Sequence, residues 1–163
     1  MSASRCTFRV ATVADVPALA ELRAEFTNED LTGSEQPRSD FSEAFASIVG
    51  AGIGGGRWTV WVAEAETVIV AHAFVGLLEK IPRPVREQRW VGYLTNVYTR
   101  PTHRGQGVGT ALLEHVLDWA RRQSVEVLVV WPSDDSIPFY ERLGFATERD
   151  PFVWAPIAPT EGA

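Results

Sequence analysis

A glycine-rich stretch between a predicted strand and a predicted helix constrains this chain more than any other feature. It reads THRGQGVGTALL from Thr102 to Leu113, with glycines at 105, 107 and 109. Glycine weakens regular structure, but it lets a backbone approach another molecule closely. A strand that enters a helix through such a turn exposes N–H groups at the positive helix end, where phosphate binds well. The stretch therefore predicts either a phosphate-binding loop or a tight turn without a ligand.

Two familiar phosphate-binding patterns do not fit this stretch. The pattern GxxxxGK[ST] needs a lysine that is absent here, and the pattern GxGxxG has Thr110 in place of its last glycine. The segment that remains is RGQGVG, from Arg104 to Gly109. Its spacing alone leaves the ligand open.

The hydrophobic pattern around this segment predicts one mixed α/β domain. Its core covers about residues 5–157 of the 163, and residues 158–163 are expected to form a frayed tail. Strands are predicted at 6–11, 58–65, 68–81, 90–99 and 125–131, with two more within 145–157. Thr12 and Asp15 form a capping box before a helix that fades near Asn28. Further helices are predicted from 39 or 40 to Gly50, from about 109 to 123, and just before Gly144. The apolar strand at 125–131 is expected to be buried on both faces.

Composition excludes several classes of function. The net charge of −6 argues against non-specific binding of nucleic acid, and no apolar run reaches the ~20 residues of a membrane helix. Cys6 is the only cysteine, which fits a reducing cytoplasm. No set of histidines and carboxylates has the spacing of metal ligands, so no metal is expected.

The second half of the chain resembles the GNAT superfamily of N-acetyltransferases. The resemblance runs from about 91 to 145 and includes VYTRPTHRGQGVGTALL, VLVVW and FYERLGF. Arg104, Gly107 and Gly109 meet the family signature [QR]-x-x-G-x-[GA]. The resemblance implies a central, mostly antiparallel sheet of seven strands flanked by about four helices. It also implies transfer of an acetyl group from acetyl-CoA to an amine without a covalent enzyme intermediate.

The family motifs place the acetyl-CoA site residue by residue. Backbone N–H groups of the loop would hold the pyrophosphate, and a strand end would pair with the pantetheine arm. Ser133 and Ser136 stand where the family usually has Asn and Ala, which puts the pantetheine contact there in doubt. The predicted cofactor residues are Val97, Tyr98, Thr99, Arg104, Gly105, Gln106, Gly107, Val108, Gly109, Thr110, Ser133, Ser136 and Phe139.

The resemblance also assigns catalytic roles. Tyr140 occupies the position of the family tyrosine near the thioester sulfur, and it is predicted to protonate the leaving thiolate. A backbone N–H near Val97 would stabilise the oxyanion. The base is not identified, because Tyr93 stands where many relatives carry glutamate. The predicted acceptor-binding residues are Glu29, Asp30, Tyr93 and Thr95.

Three functions stay open from the sequence. The first is an N-acetyltransferase that acts on a primary amine of a small molecule or peptide. The second is a CoA-binding sensor or regulatory module without catalysis, suggested by the missing glutamate at 93 and the missing asparagine at 133. The third is a phosphate-binding α/β module unrelated to CoA. Neither a nucleic acid nor a membrane is an expected partner, and a homodimer is left open.

Overall fold

A computed structural model describes residues 3–30, 38–84 and 89–147. The chain divides into two compact units, Met1–Trp131 and Pro132–Ala163, which are described separately below. The expectation of a single domain over residues 1–163 stays a prediction.

The first unit is built on a five-stranded sheet in the order β1-β2-β3-β4-β5. Neighbouring strands are antiparallel from β1 to β4, and β5 runs parallel to β4. The strands are β1 Cys6–Val10, β2 Trp58–Ala65, β3 Val68–Glu79, β4 Trp90–Thr99 and β5 Val125–Val129. The helices of this unit are α1 Val16–Asp30, α2 Phe41–Gly54 and α3 Val108–Arg122. In the second unit, a turn of 3-10 helix at Asp134–Ser136 precedes α4 Ile137–Arg142.

Helices cover both faces of the sheet. On one face, α1 and α2 pack on alternate residues of the strands, and this core includes Leu19, Leu22, Val49, Val60, Val62, Phe74 and Tyr98. On the other face lies α3, whose apolar residues recur at helical spacing and are buried at Val108, Leu112, Leu113, Val116 and Ala120. Complete burial of one such aliphatic side chain contributes about 1.5–3 kcal/mol. The start of α3, which holds the glycine-rich loop, is therefore fixed against the sheet.

The predicted capping box is present before α1. The Thr12 N–H donates to the Asp15 carboxylate at 2.7 Å, and the Asp15 N–H donates to the Thr12 side chain in the reciprocal half of the box. Arg9 also donates two hydrogen bonds to Asp15, each of 2.8 Å. This cap starts α1 in the direction that carries its last turns to the end of β4.

The prediction that Gly50 ends the second helix is wrong. Helix α2 continues to Gly54. A Cβ atom on Gly52 would overlap with Cδ1 of Trp58, and one on Gly76 would lie 3.0 Å from the same ring. Glycine at 52 therefore allows the indole to pack against the helix. Trp58 packs against the core between the helices and the sheet.

The prediction that the last apolar strand is buried on both faces is also wrong. Val127 in β5 is 48% exposed, so at least one face of the strand meets solvent. The apolar run is explained by β-branched preference for strands as much as by burial. The two strands predicted within 145–157 fall mostly on residues outside the described ranges, and Phe145, Ala146 and Thr147 form no regular element.

Candidate active site

The glycine loop forms a left-handed entry into α3. Gly105 and Gly107 have φ of +69° and +78°, a region that costs other residues about 1–2 kcal/mol. Gly107 is the N-cap of the helix, and the Ala111 N–H donates to its carbonyl at 2.9 Å. The N–H groups of Val108, Gly109 and Thr110 therefore precede the first hydrogen bond of the helix. An anion such as a pyrophosphate fits this arrangement of donors at the positive helix end.

Both ends of this loop are anchored. The side-chain amide of Gln106 donates to the Thr102 carbonyl at 2.9 Å, and the Gln106 carbonyl accepts from the Ala3 N–H at 3.2 Å. Val108, the first helical residue, is 1% exposed. The loop is thus held in shape by its own neighbours, as a preorganised anion site requires.

Arg104, the first residue of the loop motif, is tied to the end of α1. Its Nη2 donates to Glu29 at 2.6 Å, and its Nε donates to the Thr99 carbonyl at 2.8 Å. The other oxygen of Glu29 accepts from the Tyr98 hydroxyl at 2.6 Å. Glu29 therefore bridges the loop and the end of β4. An acceptor cation at Glu29 would compete with Arg104, and the role of Glu29 in acceptor binding stays a prediction.

A second ion pair repeats this link one helical turn earlier. Arg100 donates two hydrogen bonds to Glu25, of 2.9 Å and 2.8 Å. Glu25 and Glu29 are four residues apart, so they share one face of α1. Arg100 directly follows the end of β4, and Arg104 comes four residues later. This pairing was not predicted from the sequence, although the two glutamates and the two arginines have the same four-residue spacing.

The Tyr98–Glu29 contact sets the charge of both groups. Burial, followed by the hydrogen bond to Glu29, raises the pKa of Tyr98 to about 12. The hydrogen bonds from Tyr98 and then Arg104 lower the pKa of Glu29. At neutral pH the tyrosine is therefore the donor and the glutamate is ionised. Tyr98 is a fixed structural donor, which leaves its backbone as the part available to a pantetheine arm.

A β-bulge interrupts β4 next to the predicted oxyanion position. His72 of β3 pairs with Tyr98, but Phe74 pairs with Thr95, so β4 carries one extra residue there. Asn96 within the bulge has φ of +48°. Asparagine tolerates this region better than most residues, but its strain still needs support from neighbouring groups. The bulge takes the Val97 region out of regular pairing with β3.

The other edge of β4 separates from β5 along its second half. The parallel register begins at Trp90 opposite Val125 and ends at Tyr93 opposite Val129. Beyond Tyr93, β4 has no described strand on that side. Its backbone from Leu94 to Thr99 can therefore accept an added extended segment, as the resemblance predicts for the pantetheine arm.

Tyr93 and Thr95 lie on the sheet face that α1 and α2 cover. Their partners in β3 are Gly76 and Phe74. Tyr93 is 40% exposed, and its ring centroid lies 5.2 Å from that of Trp131 in an edge-to-face arrangement. Sequence reasoning did not single out Trp131, because only the register of β4 and β5 brings the two rings together. Asp30 is the last residue of α1, and its side chain lies outside the described part of the chain.

The second unit holds the remaining predicted residues. Tyr140 is 8% exposed, with the rings of Phe139 and Phe145 at 5.2 Å and 5.4 Å. Burial raises the pKa of Tyr140 to about 12, so its hydroxyl keeps its proton at neutral pH. Ser136 donates to the Ser133 carbonyl at 2.8 Å, and Ser133 donates to the Ser136 hydroxyl at 3.1 Å. The two serines thus form a local turn at the start of α4.

Comparison with known proteins decides the family. The sequence profile of the acetyltransferase (GNAT) family matches residues 18–145. The chain belongs to the GNAT family. The match includes the glycine loop, the whole of β4 and Tyr140, which are the parts that carried the resemblance.

Named relatives are N-acetyltransferases. A glucosamine 6-phosphate N-acetyltransferase of Trypanosoma brucei brucei is 38% identical over 69 residues, which cover 42% of this chain and 47% of that protein. An aminoglycoside N(6')-acetyltransferase type 1 of Stenotrophomonas maltophilia is 32% identical over 126 residues, covering 74% of this chain and 71% of that one. The match thus spans less than half the length of the trypanosomal relative.

Solved acetyltransferase structures share the fold. A predicted acetyltransferase from Clostridium acetobutylicum, solved with acetyl-CoA, superposes with a TM-score of 0.74 at 23% identity, over 93% of this chain and 95% of that one. A glucosamine-6-phosphate N-acetyltransferase from Arabidopsis thaliana gives a TM-score of 0.66 at 21% identity, over 93% and 99%. The GNAT-like α/β fold expected from the sequence is confirmed, with five strands in the described residues where seven were predicted.

Membership of this family supports the expected class of chemistry. GNAT proteins are acetyl-CoA-dependent acyltransferases, with acetyl-CoA as co-substrate. In residues 3–30, 38–84 and 89–147, no three histidine, cysteine or carboxylate side chains are grouped to hold a metal ion. No helix within the same ranges is long and apolar enough to cross a membrane.

Proposed function

We propose that this protein transfers the acetyl group of acetyl-CoA to a primary amine of a small molecule or peptide. The observation that carries the proposal is the left-handed entry into α3, with positive φ at Gly105 and Gly107 and three N–H groups ahead of the helical ladder. The edge of β4 from Leu94 to Thr99, which has no neighbouring strand among the described residues, supports the same ligand, because a pyrophosphate and a strand-like arm belong to one CoA molecule.

The binding residues follow from these two features. Backbone N–H groups between Arg104 and Thr110 would hold the pyrophosphate, and the backbone of Val97, Tyr98 and Thr99 would pair with the pantetheine arm. In the second unit, we propose that Ser133, Ser136 and Phe139 contact CoA, although the two serines replace the usual Asn and Ala of the family. Tyr98 and Arg104 bind Glu29 through their side chains, which stiffens the backbone that the ligand uses.

Catalysis needs a group that stabilises negative charge on the carbonyl oxygen and a group that protonates the leaving thiolate. Acetyl-CoA supplies a thioester that a neutral amine attacks, with loss of a proton to water or to a base. The Val97 N–H lies in the bulge and would stabilise the negative charge that develops on the carbonyl oxygen. Tyr140 would protonate the leaving thiolate, and its pKa of about 12 keeps that proton available.

For the acceptor we propose the face of β4 that carries Tyr93 and Thr95. The exposed pair Tyr93 and Trp131 offers aromatic rings on which a sugar or a cationic group can pack. Glu29 and Asp30, at the end of α1, are the carboxylates proposed for a cationic acceptor. Because relatives are named for glucosamine 6-phosphate and for aminoglycosides, we put amino sugars first in the substrate panel.

An acetylation screen tests this function. The protein is incubated with acetyl-CoA and amino sugars, aminoglycosides, amino acids, polyamines or peptides, and thiol release is followed with mass detection of each product. Acetylation of one amine class supports the proposal. Heat stabilisation by CoA without acetylation of any amine would favour the non-catalytic CoA-binding module. Equal stabilisation by ATP, NAD and CoA would favour a general phosphate-binding module.

A further inference from the structure

His72 is a buried polar side chain that the reaction described above does not use. It lies in the middle of β3 with 0% exposure, and it is the one polar or charged side chain classed as buried within the described ranges. The ring of Phe74 meets it edge-on at 5.2 Å, and the ring of Tyr98 lies 5.9 Å away. Burial of an imidazole among aromatic rings is unfavourable unless its polar atoms find partners.

One ring nitrogen of His72 has a specific partner. Nδ1 lies 2.6 Å from the carbonyl oxygen of Asn96. A carbonyl oxygen only accepts hydrogen bonds, so Nδ1 must carry the proton. Nε2 is buried and has no hydrogen-bond partner among the described residues. Burial lowers the pKa of His72 to about 4, so the ring is neutral and held in one tautomer at pH 7.

The partner of His72 is the strained residue of the β4 bulge. Asn96 has φ of +48°, and the bulge removes it from the regular ladder between β3 and β4. A bulge leaves its extra residue without a ladder partner. The histidine supplies the missing donor for the Asn96 carbonyl from within the neighbouring strand.

This contact also fixes the next N–H group. The Asn96 carbonyl and the Val97 N–H belong to one planar trans peptide, so they point in opposite directions. A carbonyl held towards His72 sends the Val97 N–H away from His72. That N–H is the group proposed above to face the thioester oxygen.

We propose that His72 is a positioning residue that holds the Asn96 carbonyl through Nδ1–H and thereby aims the Val97 N–H at the acetyl carbonyl oxygen. The inference rests on the proposed acetyl transfer. In that step the amine nitrogen bonds to the carbonyl carbon, the C–S bond breaks, the amine gives up a proton and the thiolate gains one. Negative charge develops on the carbonyl oxygen in the tetrahedral intermediate. A donor that points away from this oxygen therefore lowers turnover.

Substitution of His72 separates aiming from packing. His72→Leu keeps an apolar side chain in the core but deletes the donor, and turnover is expected to fall about 10- to 100-fold, less than for complete loss of an oxyanion donor. The Michaelis constant for acetyl-CoA is expected to stay within about threefold, because the lost interaction acts mainly in the transition state. His72→Asn places an amide N–H near the position of Nδ1 and is expected to recover most of the turnover.

Val75→Ala is the matched control on the same strand. Val75 is 0% exposed and pairs with Leu94, outside the register shift that marks the bulge. Val75→Ala should lower the midpoint temperature of unfolding as His72→Leu does, but it should leave the turnover per folded molecule unchanged. Equal turnover loss in Val75→Ala, or equal loss in His72→Asn and His72→Leu, would reduce His72 to a packing residue and overturn the proposal.

Amide NMR tests the proposal independently of turnover. In the wild type, acetyl-CoA is expected to move the Val97 N–H proton resonance downfield, and CoA without the acetyl group is expected to move it less. In His72→Leu that difference should vanish while CoA still binds. A downfield shift that persists in His72→Leu would refute the positioning role. A wild-type protein that shows the shift but acetylates no amine would refute the proposed function and leave the positioning role standing.

Discussion

At the scale of single residues, Arg104 and Glu29 illustrate what a motif residue can do besides touch its ligand. Arg104 meets the family signature, yet its guanidinium is engaged with Glu29 at 2.6 Å and with the Thr99 carbonyl at 2.8 Å. Its side chain therefore ties the loop to α1 and β4. The contribution to CoA binding that we expect from it is the correct position of the loop backbone.

Glu29→Gln tests that anchoring role. Loss of the half-exposed ion pair, worth about 0.5–1 kcal/mol, is expected to raise the Michaelis constant for acetyl-CoA about two- to fivefold. Glu25→Gln is the matched control, because Glu25 lies on the same helix face but pairs with Arg100 outside the loop motif. Steady-state kinetics with both substrates varied measure the effect. A rise confined to the acceptor's Michaelis constant would show that Glu29 binds the acceptor, as proposed above, and does not anchor the loop.

Tyr140→Phe tests the assignment of the acid. The variant keeps the ring between Phe139 and Phe145 and deletes only the hydroxyl. Turnover is expected to fall towards ~100-fold, the lower end for general acid catalysis, because a CoA thiol also leaves with help from water. Binding of acetyl-CoA should stay near normal. Weaker CoA binding with intact turnover would show that Tyr140 contacts bound CoA but does not act as the acid.

The pKa of Tyr140 adds a pH prediction. Burial raises it to about 12, so the hydroxyl stays protonated well above neutral pH. In the wild type, turnover should therefore not decline from loss of this proton between pH 7 and pH 10. A decline with an apparent pKa near 8 or 9 that disappears in Tyr140→Phe would contradict the cause assigned here.

At the scale of elements, the start of α3 decides whether CoA can bind. Gly107→Val would add a side chain where φ is +78° and the backbone must approach phosphate. The dissociation constant for CoA is expected to rise at least about tenfold, since loss of one hydrogen bond to a charged group costs ~1.5–3 kcal/mol. Calorimetric titration of CoA measures it.

Gly56→Val is the control for backbone strain. Gly56 has φ of +73° and an open environment for a Cβ atom, but it lies in the turn between α2 and β2. Both variants should lose about 1–2 kcal/mol of stability from the left-handed conformation. Only Gly107→Val should lose CoA affinity. Similar affinity in the folded Gly107→Val protein and in the wild type would remove the loop from the cofactor site.

At the scale of the whole molecule, local patterns predicted the elements and missed the contacts between them. The start of α3 could be predicted from the sequence, because its glycines, its preceding strand and its apolar stripe are contiguous. The end of α2 could not be predicted, because Gly52 lies within the helix and makes room for the indole of Trp58.

The site itself was predictable only where one short motif contains it. The links from Glu29 to Arg104 and from His72 to Asn96 join residues 75 and 24 positions apart. Such pairs depend on strand register, which no local pattern determines. The bulge was equally hidden, because Asn96 adopts positive φ without the glycine that usually marks it.

The most direct test of the central claim is a stoichiometry. The protein is mixed with acetyl-CoA labelled in the acetyl group and with an amine selected from the panel, and each quenched sample is measured for free CoA thiol and for labelled amide. Direct transfer predicts one labelled amide for each thiol released, with no label left on the protein. Thiol release without labelled amide, or CoA binding with no release for any amine, would contradict the assignment of this chain as an N-acetyltransferase.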